Sequence, residues 1–234
     1  MNIDNTATSI FPPVHSASDD DLIAIGGDLT SSTLIDAYSH GIFPWFNENQ
    51  PIMWWSPDPR AILFPDELHI SKNMRKMIRR RQFDVTIDSA FEQTIIECSL
   101  RRNDPQTGTW ITSDMISAYS KLHKLGFAHS VEVWLEGELV GGLYGISIGH
   151  VFFGESMFSL EPNSSKYALI VLIGLMKINR IQILDCQMES SHLNSMGART
   201  IPRENFIKFL ERDTRPYKSP ENWNYCDTLL DYAS

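Results

Sequence analysis

The sequence predicts an α+β fold, in which a mixed sheet carries helices on its faces and a small irregular unit precedes it. Three observations lead there. "HSVEVWLEGELVGGLYGISIGHVFFGESMFS", His129 to Ser159, reads as three strands joined by "EGE" and "IGH", short glycine-containing links that suit antiparallel hairpins. A largely apolar helical run, "NSSKYALIVLIGLMKIN", and a further strand, "IQILDC", follow. Strand, helix and strand in that order imply a right-handed crossover and a parallel pair. The first sixty residues differ, holding "FPP", "FPWF" and "QPIMWWSPDPR" and little periodicity. The expected division is a small aromatic-rich N-terminal domain over 1–60 and a larger domain over 61–234.

The elements follow in order. "TSSTLIDAYSHG" is a helix with Thr30 or Ser31 as N-cap, Leu34, Ile35 and Tyr38 on one face and Gly41 as its stop. Ser71 caps a basic helix, "SKNMRKMIRRR", and "FDVTID" is a strand. "DSAFEQTIIECSL" is a helix in which Ser89 and Glu92 have capping-box spacing. "TSDMISAYSKLHKLG" is another, ended by Gly126. Beyond "IQILDC" come a short helix near "SHLNSMG" and one beginning "PRENFIKFLER". Two helices, an antiparallel meander, a helix and a parallel strand are similar in order to the acyl-CoA N-acyltransferase fold. Enzymes of that fold hold a pyrophosphate on a glycine-rich loop before the helix that follows the meander. The loop here, "LEPNSSK", has no glycine, so coenzyme A is not expected.

Composition narrows the classes. Hydrophobic content of 42% and charged content of 21% are ordinary for a soluble globular chain. The start, "MNIDNTATSI", lacks the basic and apolar stretches of a signal peptide, and "ALIVLIGLM", between Lys166 and Lys177, is too short to span a bilayer. Cys98, Cys186 and Cys226 are odd in number and form no CxxC, which points to a reducing cytoplasm. Seven scattered histidines give no ligand cluster, so no metal is expected. The net charge of −9 argues against general nucleic-acid binding. Yet Lys72, Arg75, Lys76, Arg79, Arg80 and Arg81 lie in one run without an acid, leaving −15 on the rest. Such a run is either a solvated helix face or a local phosphate-binding surface.

Three constellations bear chemistry. In "ILDCQ" strand alternation puts Asp185 and Gln187 on one face and Cys186 on the other. Cys186 then reads as a small core filler, for a nucleophile would need a base placed beside it. The acid and amide either cap the following helix or form a polar pair, the carboxylate fixing which way the amide points. Such a pair suits attack of an amine on an ester. Phe43, Trp45, Phe46, Trp54 and Trp55 crowd thirteen residues and Trp110 adds another; they serve as a small core or as stacking surfaces for bases. In "FFGESMFS", Glu155 lies in an apolar strand with Phe153, Met157 and Ser159 expected on its face, and an inward carboxylate there requires a partner.

Taken together, "GGDLT", "YSHGIFPWF", "WWSPDPRAIL", "GTWIT", "LGFAHSVEVW", "GGLYG", "FFGESMFS", "SKYAL", "DCQ" and "HLNSMGA…IPR" resemble, in order from Gly26 to Leu210, the bacterial leucyl/phenylalanyl-tRNA–protein transferases. "RRNDPQ" makes a longer lead into "GTWIT", and Leu143 stands in "GGLYG" where a methionine can occur. The resemblance implies an enzyme that moves Leu or Phe from aminoacyl-tRNA to an N-terminal Arg or Lys of a protein, marking it for degradation. It implies that Asp185 orients Gln187, that Gln187 assists the incoming amine, and that Trp45 and Trp110 hold the 3′ adenosine. Leu143, Phe153, Glu155, Met157 and Ser159 would line or border the aminoacyl pocket, and the six cations would meet tRNA phosphates. An aminoacyl ester is already activated, so no cofactor or covalent intermediate is expected. A monomer is expected. Two rivals are an acyl-CoA acetyltransferase and a non-catalytic RNA-binding module.

Overall fold

The chain first builds a small sheet whose apolar side chains pack on a larger one. The structure, a computed structural model, describes residues 9–101, 109–213, 219, 223 and 224. Most of "RRNDPQ" and Cys226 lie outside these. Strand β1 (Leu22–Ile25), helix α1 (Ser31–Ser39), and strands β2 (Phe43–Pro44) and β3 (Met53–Trp55) form the first part, with the strands ordered β1-β3-β2, all antiparallel. Thr30 is the cap of α1, its hydroxyl accepting from the Thr33 N–H. Strand β4 (Arg60–Leu63) then enters the main sheet.

The main sheet is built by the segments that follow. Helix α2 (Lys72–Arg79) is capped by Ser71, and strand β5 (Asp84–Ile87) succeeds it. Helix α3 (Phe91–Arg101) starts two residues after Ser89, and the expected capping box is not formed. The Ser89 N–H donates to Glu132 and its hydroxyl to the Ile87 carbonyl, which ties Ser89 to the end of β5. Helix α4 (Ser113–Lys124) has Thr112 as its cap and turns at Gly126, φ +79°. Strands β6 (Ala128–Leu135), β7 (Glu138–Ile148) and β8 (Val151–Ser159) are the antiparallel meander. Helix α5 (Ser164–Ile178) crosses over to strand β9 (Ile183–Gln187), parallel to β8. Helix α6 (Ser191–Asn194), strand β10 (Arg199–Ile201) and helix α7 (Arg203–Asp213) follow.

The strand order is β10-β4-β9-β8-β7-β6-β5, with one parallel pair. This is the α+β arrangement that the order of elements predicts: a meander, a crossover helix and a parallel strand. One sheet face packs on α5 and the inner side of α2. The other packs on α3 and α4, on Phe206 and Leu210 of α7, and on the N-terminal part through Leu34, Tyr38, Phe43 and Trp54. The aromatic-rich segment thus has its own sheet while its apolar side chains share a core with the larger one.

Two irregularities open the sheet at one place. Strands β8 and β9 pair only from Val151↔Ile183 to Phe153↔Asp185, after which β8 runs on to Ser159 without its neighbour. Each strand carries an extra residue there. Tyr144 faces Ser156 and Gly145 faces Gly154, leaving Glu155 as the bulge of β8; Ile62 faces Asp185 and Ala61 faces Gln187, leaving Cys186 as that of β9.

Candidate active site

The parting of β8 and β9 leaves a cavity of about 580 Å³. Its apolar side is made by Leu143, Phe152, Met157, Leu169, Leu172 and Leu184, and Phe43, Trp45 and Trp110 add an aromatic side on which Phe43 is buried and Trp45 exposed. Trp45 is 40% exposed and meets Trp55 edge-on, their centroids 6.1 Å apart, with the Trp55 ring N–H donating to the Trp45 carbonyl. Trp54, by contrast, is buried and donates to the Gly26 carbonyl, a core role. The wedge therefore joins an apolar recess to an exposed aromatic rim.

The β8 bulge sets which side chains reach the recess. One residue too many reverses the alternation across Gly154–Glu155. Phe152 and Met157 consequently lie on the α5 side of the sheet, and Phe153 lies on the opposite face. The expectation that Phe153 lines the pocket is corrected: it is fully buried against Tyr38 at 5.2 Å, and Phe152 takes the lining position. Leu143 and Met157 face one another across β7 and β8 and both border the cavity. Ser159 borders it too, its hydroxyl donating to the Glu161 carbonyl and lying 2.8 Å from that of Ser164.

Glu155 is turned by the same bulge toward helices α1 and α4. Its carboxylate accepts from the Tyr38 hydroxyl at 2.6 Å and the Tyr119 hydroxyl at 3.2 Å, and the two hydroxyls are themselves hydrogen-bonded. The side-chain amide of Gln187 donates to Glu155 at 3.0 Å. Burial raises the Glu155 carboxyl to about 7, outweighing the three hydrogen bonds that favour its ionised form. Burial, with the Glu155 charge, also pushes both tyrosines well above their ordinary value, so they remain donors.

Asp185 does not grip the Gln187 amide. It is fully buried in a two-pronged pair with Arg60, Nε to Oδ1 at 2.8 Å and Nη2 to Oδ2 at 2.7 Å. Its Oδ1 also accepts the Gln187 backbone N–H at 2.9 Å. Arg60 is 1% exposed and lies over the rings of Phe43 and Phe206, 5.0 and 4.9 Å from their centroids. Gln187 sits at φ +62°, a left-handed conformation that costs a non-glycine residue on the order of 1 kcal/mol. The Arg60–Asp185 pair therefore fixes the backbone of Gln187, and Glu155 fixes its amide. With its NH2 on Glu155, the amide keeps its oxygen as an acceptor. Cys186 is half-buried, packs toward the α5 face and borders the cavity, and burial raises its thiol far above the ordinary range. Burial thus opposes formation of the thiolate, which is the nucleophilic form.

The six cations form a separate surface. Lys72, Lys76, Arg79, Arg80 and Arg81 are exposed and Arg75 is half-exposed, while Met74, Met77 and Ile78 face the core. Lys76 and Arg80 border a second cleft of about 320 Å³ with Glu161 and Asn163, at the start of α5. Glu161 comes two residues after Ser159, so Lys76 and Arg80 reach the chain just beyond the end of β8.

Sequence pattern alone does not single out Arg60, Tyr38 and Tyr119. Tyr38 and Arg60 stand inside "YSHGIFPWF" and "WWSPDPRAIL", and a lone arginine opening the apolar run "RAIL" is the available signal. Nothing in the helical pattern separates Tyr119 from an ordinary core tyrosine.

Comparison with known proteins adds two findings. Residues 27–58 match the family model for the leucyl/phenylalanyl-tRNA protein transferase N-terminal domain, and residues 62–211 match that for leucyl/phenylalanyl-tRNA protein transferase. A leucyl/phenylalanyl-tRNA–protein transferase of Syntrophus aciditrophicus is 51% identical over 215 residues, 92% of this chain and 90% of the relative. One of Flavobacterium johnsoniae is 53% identical over 201 residues, 86% of this chain and 95% of the relative. Among solved structures, L-PGS from Bacillus licheniformis superposes with a TM-score of 0.41 at 11% identity, covering 69% of this chain and 52% of that one.

Proposed function

The chain belongs to the leucyl/phenylalanyl-tRNA–protein transferase family, and from that premise we propose that it carries leucine or phenylalanine from aminoacyl-tRNA to proteins beginning with arginine or lysine. It is an aminoacyltransferase whose substrates are aminoacyl-tRNA and protein. The product enters N-degron-dependent degradation. The observation that carries the finer reading is the wedge, where an apolar recess ends at an amide held by a buried carboxylate.

The proposed roles follow from that geometry. The leucyl or phenylalanyl side chain enters the recess between Leu143, Phe152 and Met157. Trp45 and Trp110 stack on the terminal adenine, and the α2 cations meet acceptor-stem phosphates without reading sequence. The acceptor's free amine attacks the ester carbonyl carbon. The new C–N bond forms, the bond to the ribose 3′ oxygen breaks, and a proton passes from nitrogen to that oxygen. The Gln187 side-chain oxygen accepts from the attacking N–H and aligns its lone pair. Glu155 holds that oxygen in place through the NH2, and Arg60 and Asp185 hold the backbone beneath it. No covalent enzyme intermediate takes part, and the working protein is a monomer of the cytoplasm. The N-terminal unit, 1–60, supplies the Trp45 rim, and 61–234 supplies the recess.

Transfer of labelled leucine from Leu-tRNA to peptides beginning with Arg, Lys or Ala tests this. Label is expected on the first two and not the third, and Ile-tRNA should serve poorly, since a misfitting methyl group costs about 1–3 kcal/mol. Equal labelling of all three peptides would refute the acceptor assignment.

A further inference from the structure

A residue from far along the chain backs Phe152, one of the residues that line the apolar recess. Trp223, beyond the end of α7, lies against the main sheet on the α5 face and is buried. Its indole stacks on the imidazole of His129 at 3.8 Å between centroids and 11° between planes. It also meets the ring of Phe152 at 5.7 Å. Phe152 lines the recess from its other side. His129 and Gly145 are direct neighbours on β6 and β7, and a Cβ at Gly145 would collide with the Phe152 ring. The glycine thus leaves a hollow in the sheet that Phe152 fills, with Trp223 closing it from the side.

His129 is the anchor of this arrangement. Its Nδ1 lies 2.7 Å from an Asp88 carboxylate oxygen, and its Nε2 lies 3.0 Å from the Ser219 hydroxyl and 3.2 Å from the Gly126 carbonyl. Carboxylate, imidazole and hydroxyl stand in the order of a hydrolytic triad. Yet the Trp223 ring covers the imidazole, which is 5% exposed, so the set holds Ser219 and Trp223 against the sheet.

We infer that Trp223 is a positioning residue for donor selection: through Phe152 it sets the depth of the recess and so the size of side chain admitted. This rests on the reading of the recess as the aminoacyl pocket. An indole gone from behind Phe152 leaves room for the phenyl ring to swing back, which deepens the recess, loosens its hold on leucine and admits a bulkier side chain.

The test uses binding, so that it does not depend on transfer. Hydrolysis-resistant amides of aminoadenosine with leucine and with naphthylalanine are titrated by calorimetry into the full-length parent, Trp223→Ala and Trp223→Phe. In Trp223→Ala the preference for the leucyl over the naphthylalanyl compound is expected to fall about tenfold, the size of effect that a methylene-scale misfit produces. Trp223→Phe keeps a ring on His129 but reaches less far, and should shift the preference in the same direction by less; it decides the matter alone where the alanine variant does not fold. Equal weakening of both compounds, or an unaltered preference, overturns the inference and leaves Trp223 a packing residue only. Failure of the parent to transfer leucine to an Arg-peptide would count against the proposed function instead.

Discussion

Glu155 shows how a single residue couples burial to chemistry. Burial raises its carboxyl to about 7, and its hold on the Gln187 NH2 is strongest in the ionised form, where both oxygens accept and neither donates. As pH rises through 7 the carboxyl loses its proton, the amide orientation is fixed, and transfer should speed up. A second rise belongs to the acceptor's own amine, near about 8. In Glu155→Gln the limb near 7 should vanish and the amine's limb should remain, measured as kcat against pH with a saturating Arg-peptide. A profile identical to the parent's would remove Glu155 from this role. Arg60 and Asp185 make a different prediction. Arg60→Met leaves a buried, unpaired carboxylate and should lower stability by about 3–5 kcal/mol in urea unfolding. At this scale the sequence is partly legible: Asp185, Gln187 and Glu155 stand out as polar groups in apolar strands. Their partners do not, because Arg60 and Asp185 are 125 positions apart and Tyr38 and Glu155 are 117 apart. A long-range hydrogen bond leaves no periodic trace.

At the scale of elements, local chemistry is legible where it meets no competitor. Thr30, Ser71 and Thr112 all cap their helices, as their hydroxyls and positions suggest. Ser89 does not: its hydroxyl turns back to the Ile87 carbonyl and its N–H to Glu132, on a strand 43 positions away, and α3 begins only at Phe91. Strands β4 and β10 leave little mark because four and three residues carry too little pattern, and their pairing with each other is nonlocal. Alternation along β8 fails at Glu155 because a bulge adds a residue without a sequence mark beyond Gly154. Helix α2 presents its cations outward while its methionines anchor it, so its charge is separable from folding. Replacing Arg79, Arg80 and Arg81 by Gln should raise KM for Leu-tRNA. It should flatten the slope of log affinity against log salt by about 0.7–0.9 for each phosphate that a cation no longer neutralises. Preference for Leu over Ile should not change, since that belongs to the recess. An unaltered salt slope would argue that α2 is only a solvated face.

Across the whole molecule, the order of elements is the strongest signal, because a meander, a crossover helix and a parallel strand allow few topologies. The wedge itself is not readable, for it arises where β8 outruns β9, and strand length relative to a neighbour emerges only once the sheet is assembled. Its consequence is a site that joins an apolar recess, an aromatic side and the Gln187 amide, with the Cys186 thiol held in its protonated form by burial beside them. Direct aminolysis is thus the central claim. Rapid-quench single-turnover transfer tests it most directly, with labelled Leu-tRNA, excess enzyme and an Arg-peptide, in the parent and in Cys186→Ala. Label is expected to pass from tRNA to peptide with none on the protein at any time, at similar rates in both proteins. A leucyl-protein adduct that forms before the peptide product, and is lost in Cys186→Ala, would contradict the account.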